Sequence, residues 1–182
     1  MTHKFSTSYM EDALLLFRFY KKLAEGAIEQ VTDDQLFVRL DEEMNSIGII
    51  MKHMAGNMRS RWTDFLTTDG EKPNRDRDRE FVEPPDSRTA LLRLWNQGWQ
   101  HVFDALEPLT DADLERKVVI RGEPHSVMQA INRQIAHYAY HCGQIVFLAK
   151  HFRSSEWKSL SVPRNKSAEF NRRVLAGEAS QR

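Results

Sequence analysis

Three histidines in this chain have the type and spacing to do chemistry. His137 and His141 are four residues apart, and His53 stands far upstream. Four residues is about one helical turn, so on a helix the paired imidazoles project from one face, one above the other. Taken alone, the pair reads equally well as core histidines satisfied by backbone or carboxylate, or as a general base. Taken with His53 it gains a second meaning, because facing helices of a bundle can converge side chains on one interior point. Three neutral imidazoles suit a borderline divalent metal such as zinc or nickel. Three protein ligands without a fourth also leave a position for water or substrate. A water bound there is acidified towards neutrality, and a thiol is held as thiolate. Cys142 follows His141 directly but lies about 100° round the helix, so it is not counted as a ligand.

The elements that must carry these residues are marked by caps and periodicity. Residues 126–151, SVMQAINRQIAHYAYHCGQIVFLAKH, read as the longest helix. Ser126 with Gln129 is a capping-box pattern, placed after the Gly122-Glu123-Pro124 breaker. Val127, Ile131, Ile135, Tyr138, Cys142, Ile145 and Ala149 make its apolar stripe, and His137 and His141 sit at its edge with Gln134 and Leu148. His53 belongs to an earlier helix starting at Asn45 or Ser46, beside a stripe of Ile47, Ile50, Met51, Met54, Met58, Trp62 and Phe65. Asn57 follows His53 by one turn. Asn57 and Gln134 are the candidates to orient a ligand or a bound water from behind.

A first helix is expected over 10–31 and a third from a cap at Asp86 or Ser87 to about Leu106. Residues 36–40 suggest a short helical turn, and Lys117 to Arg121 is the one convincing β-like run. Residues 166–175 read as a short amphipathic helix. The segment 67–86, TTDGEKPNRDRDREFVEPPD, is broken by glycine and proline and carries an alternating charge run. It is expected to be a solvated loop that walls part of any pocket. The fold class expected is therefore all-α. The architecture expected is a four-helix bundle with a short β-like connection before helix 4 and a small C-terminal helix. One domain spans 1–182, with its core at about 10–152 and an extension at 153–182.

Composition removes several function classes. The chain has 182 residues with 26 basic and 26 acidic side chains, so no basic field argues for nucleic acid. Its single cysteine excludes an internal disulfide framework. No apolar run reaches membrane-span length and the N-terminus does not read as a signal peptide, so a cytoplasmic protein is expected. Arg59, Arg61 and Arg133 are candidates to meet an anionic substrate but are expected at the surface, His125 is a candidate for the mouth of the site but is expected in an exposed turn, and His3, His101 and His151 have no partner pattern. Ala136, Tyr140, Gly143 and Phe147 draw a second, partly apolar line on helix 4, which suggests cover by another subunit.

The stretches SIGIIMKHMAGNMRSRW around His53 and IAHYAYHCGQIVFLAK around His137 and His141 resemble the DinB/YfiT-like superfamily of proposed metal-dependent enzymes. The resemblance runs from about residue 10 to 152 and is nearest to a DinB-like subfamily of long-unassigned function. It implies a four-helix bundle holding nickel or zinc with three histidines, one from helix 2 and an HxxxH pair from helix 4. Those positions are matched by His53, His137 and His141. It implies a low-molecular-weight thiol as cosubstrate, since relatives include mycothiol-dependent maleylpyruvate isomerase and transferases joining bacillithiol or other thiols to electrophiles. It also strengthens the expectation of a homodimer. The function expected is a metal-dependent thiol S-transferase, or a related hydrolase or isomerase acting on a small molecule. The alternative is a non-catalytic, stress-related bundle that binds metal or a small ligand, in which a fourth ligand such as Glu or Asp closes the site.

Overall fold

Four serines start the four long helices. In the computed structural model, which describes residues 5–180, Ser8 caps α1 (Tyr9–Ile28), Ser46 caps α2 (Ile47–Trp62), Ser87 caps α3 (Arg88–Leu106) and Ser126 caps α4 (Val127–Arg153). Each hydroxyl accepts the amide three residues on, and each such cap contributes about 1 kcal/mol. At Ser126 the box is reciprocal, because the Gln129 side chain accepts the Ser126 amide at 2.9 Å.

The capped helices pack α2 against α3, α1 against α4, and α2 against α4. The chain is mostly helical, with five helices and one small two-stranded sheet among the described residues. Burial explains the weak amphipathicity of α2, since thirteen of its sixteen residues are buried. Its contact with α3 is close at Gly98, where a Cβ would stand 2.9 Å from the Ala55 Cα. The core carries an aromatic cluster in which Phe17 meets Trp62, Trp99 and Tyr138 at centroid distances of 6.1, 6.4 and 5.8 Å. Trp62 Nε1 donates to the Tyr138 hydroxyl at 2.9 Å, and that hydroxyl donates to Asn57 Oδ1 at 3.1 Å. This chain of polar groups fixes the register of α2 against α4.

The β-like run is one arm of a hairpin. β1 (Lys117–Ile120) pairs antiparallel with β2 (Glu123–Ser126), with Val118 opposite His125. The two-residue turn uses positive φ at Arg121 (56°) and Gly122 (77°), the primed geometry that matches strand twist. Gly122-Glu123-Pro124 is thus a turn and a strand rather than a plain breaker. Asp69 binds the turn, accepting the amides of Arg121 and Gly122 at 2.8 Å each.

Three boundaries differ from the sequence expectation. α1 stops at Ile28, not 31, and α4 runs on to Arg153. The short turn forms at Asp34–Leu36, before the expected 36–40. α5 (Ser167–Leu175) forms where expected and has no buried residue. Among the described residues, no helix is long and apolar enough to cross a membrane.

Candidate metal centre

His53 reaches the interior from the middle of α2, while His137 and His141 reach it from the middle of α4. His53 Nε2 lies 3.3 Å from His137 Nε2, and His141 Nε2 lies 3.0 Å from the same atom. One nitrogen from each ring falls within 4.8 Å of the other two. His53 and His141 are buried and His137 is half-buried, so solvent approaches from the His137 side. Three imidazole nitrogens this close have the donor set and spacing to hold one divalent ion. Among the described residues no aspartate, glutamate or cysteine joins the group.

The outer nitrogens explain why the inner ones converge. His53 Nδ1 donates to Glu80 Oε2 at 2.9 Å, and His141 Nδ1 donates to Gln144 Oε1 at 2.8 Å. Each bond places the ring proton on Nδ1 and turns the Nε2 lone pair inward. Glu80 is itself clamped by Arg75, whose Nε and NH2 donate to its two oxygens at 2.8 Å each. Burial pushes the Glu80 carboxyl upward, but the bonds and charges of Arg75 and His53 outweigh it and hold it below its ordinary value. Phe81 stacks on the His53 ring with centroids 4.4 Å apart.

Two of the imidazoles are held neutral. Burial, reinforced by His141, His53, Arg61 and Arg75, lowers His137 from 6.5 to about 3. Burial lowers His141 to about 4, although the bond to Gln144 works the other way. Neutral imidazole is the form that binds metal.

Neither amide that the sequence suggested is bonded to a histidine. Asn57 is buried but accepts from Tyr138 instead of holding a histidine, and Gln134 is buried with its Oε1 unpartnered. Glu80 and Gln144 take the role. Gln144 was legible, since three residues after His141 it shares that helical face. Glu80 had no local signal, because it comes 27 residues after His53 from a stretch read as solvated. That stretch is a correction. The segment 67–86 contains a 3-10 turn at Asp78–Phe81, with Glu80 buried and the Arg75 side chain 4% exposed. Arg61 is a second correction: expected at the surface, it is 3% exposed, whereas Arg59 and Arg133 are exposed as anticipated. His125 is half-buried within β2, with Nδ1 bonded to the Glu123 carbonyl, and takes no part in the cluster. His101 and His151 are also outside the cluster, and His3 lies outside the described residues.

Residues 4–166, nearly the whole chain, match the family described as protein of unknown function (DUF1572), and the chain belongs to that family. No curated protein matches it in sequence.

Proposed function

We propose that the chain is a metal-dependent enzyme in which His53, His137 and His141 hold one zinc or nickel ion. We further propose that it joins a low-molecular-weight thiol, of the bacillithiol or mycothiol kind, to an electrophile, or performs a related hydrolysis or isomerisation. The observation that carries this reading is the convergence of three Nε2 atoms, two of them on rings fixed from behind at His53 and His141, with no fourth protein ligand in the group among the described residues. When bound, such an ion supplies Lewis acidity that keeps a thiol as thiolate or a water near hydroxide.

The chain's own residues have defined tasks in this scheme. Glu80 and Gln144 accept the Nδ1 protons and keep the inner lone pairs aimed. Phe81 covers one face of His53 and excludes water from it. His137, half-buried, marks the side open to a substrate. The non-catalytic alternative requires a fourth ligand, and Glu80 is the acid placed to provide it. Its carboxylate is turned instead to the outer nitrogen of His53 and to Arg75.

The helix pairing and the matched histidine positions support a four-helix bundle of the DinB/YfiT-like kind, and a thiol cosubstrate of this sort fits a cytoplasmic setting. The exposed line on α4, with Tyr140 at 63% and Phe147 at 65%, supports a homodimer, which light scattering on the purified chain tests. The central experiment is elemental analysis of untagged protein beside a His137→Ala variant. About one equivalent of zinc or nickel, lost in the folded variant, is expected. Metal-dependent consumption of a thiol with a model electrophile then tests the reaction. Wild-type protein that neither carries nor takes up metal would overturn the reading.

A further inference from the structure

One line of polar residues leads away from the histidines. His53, Asn57 and Arg61 are spaced four apart on α2, so they share one face. On α4, Gln134 precedes His137 by three residues and Tyr138 by four. His53 meets His137 and His141, Asn57 meets Tyr138 and Arg61 feels Arg133, so α2 and α4 run antiparallel here, which puts Arg61 and Gln134 at about one level, beyond Asn57 from the histidines. Both are buried, at 3% and 1% exposure, and both lack partners: Arg61 at Nε and NH1, Gln134 at Oε1.

The neighbouring acids are committed elsewhere. Glu71 takes Arg75 at 3.0 Å and Arg121 at 3.2 Å. Asp69 takes the amides of Glu71, Arg121 and Gly122. Glu71 and Asp69 act on Arg61 by charge at a distance, without a hydrogen bond, while Lys72, Arg75 and Arg133 oppose its charge. Burial lowers the Arg61 pKa, yet a guanidinium stays ionised at neutral pH. The side chain also has a fitted bed: a Cβ on Gly70 would stand 2.6 Å from Arg61 NH1 and 3.0 Å from its Cδ. A buried, ionised fork without an acceptor is an unfavourable placement that an anionic ligand corrects.

We propose that Arg61, helped by the Gln134 amide, anchors the carboxylate of a small molecule whose other end reaches the three-histidine centre. The Nε and Nη1 edges of the guanidinium face different ways, so a carboxylate takes one of them together with Nη2, and the Gln134 amide supplies a further donor once its orientation is reversed. Eight residues of helix are about 12 Å, and a helical side chain leans back towards the N-terminus, so the molecule spans less than that length. Only the direction of the molecule rests on the metal reading; the anchoring itself does not.

The test is calorimetric titration of succinate, with inorganic phosphate as comparison, into metal-free and zinc-loaded protein. Saturable succinate binding is expected in both forms, weakened about tenfold or more in Arg61→Met and less in Gly70→Ala. Metal-free Arg61→Met should also melt higher than wild type, since it removes a buried charge that has no hydrogen-bonded partner. Loss of zinc uptake with succinate binding intact counts against the metal centre and leaves this site standing. The proposal is overturned by no saturable succinate binding in either form, by equal binding in Arg61→Met, by a lower melting midpoint for that variant, or by phosphate binding more tightly than succinate.

Discussion

His53 and His141 present the same nitrogen to the centre, but they are held from behind in opposite ways. Behind His53 stands a charged, buried relay: Glu80, gripped on both oxygens by Arg75, which also reaches Glu71. Behind His141 stands a neutral and more exposed one: Gln144, whose amide donates to the Tyr140 hydroxyl at 3.1 Å. The first comes from a loop distant in sequence and is inseparable from the packing of that loop on α2. The second comes from the same helical turn and would exist in any α4 of this sequence. Orientation by a tertiary ion pair is strong but coupled to folding, whereas orientation by an i,i+3 neighbour is weak but local.

The largest effect should follow from breaking the charged side. Glu80→Ala leaves Arg75 buried with Glu71 as its remaining partner and deprives His53 Nδ1 of its acceptor. Breaking a buried pair this way costs about 3–5 kcal/mol. Metal affinity should fall by about 10–100-fold, the usual result of losing an orienting group. Thermal unfolding and zinc competition with a chelator read the two losses. A Glu80→Ala protein as stable as wild type would show that the relay is ornamental.

Gly56→Ala attacks the same relay without removing an atom from it. A Cβ there would stand 2.3 Å from Glu80 Oε1 and 2.7 Å from its Cδ, so the carboxylate must move, and it cannot do so while bonded to both Arg75 and His53. The expected loss of zinc affinity approaches that of Glu80→Ala, with a smaller loss of stability. Unchanged affinity would mean that Glu80 has room to shift while keeping His53 aimed.

Acid separates the centre from its supports. His137 and His141 have folded pKa values of about 3 and about 4 against 6.5 ordinarily. Below about 6.5 the unfolded chain therefore takes up protons that the folded chain refuses. The stability these residues contribute is whole above that pH and declines as pH falls towards 4 and then 3. Urea midpoints measured from pH 7 to 4 on metal-free protein should fall steadily, and His137→Asn should flatten the slope.

These contrasts also show how much of the molecule was legible beforehand. The capped helices, the stripe of α4 and all three histidines follow from periodicity, spacing and resemblance, because those signals are local. The role of Gln144 was within reach for the same reason. Glu80 was not, because alternating charge in a proline-broken stretch normally means solvent. Only the fold brings Arg75 and Glu80 under the face of α2 and Phe81 onto His53. Arg61 misled for a related reason: its burial depends on Gly70, which a hydrogen bond to the Val119 carbonyl of β1 holds in place.

The smallest effect should come from the neutral side, and it decides whether the contrast is real. Gln144→Ala removes the acceptor from His141 Nδ1, but His141 stays pinned by α4 packing and sits next to exposed Tyr140, where water can replace the lost amide. Zinc affinity should fall by less than about tenfold, below the range for a buried orienting group. Tyr140→Phe, which removes only the hydroxyl behind Gln144, should be nearly silent in the same competition assay. A Gln144→Ala loss as large as that of Glu80→Ala would mean that the exposed partner is held as firmly as the buried one. That rigidity would have to come from something covering Tyr140, and a second copy of the chain on the apolar line of α4 is the cover already proposed. Repeating the titration across a protein dilution series then distinguishes the cases, because support lent by a partner disappears as the dimer dissociates, while support intrinsic to α4 does not.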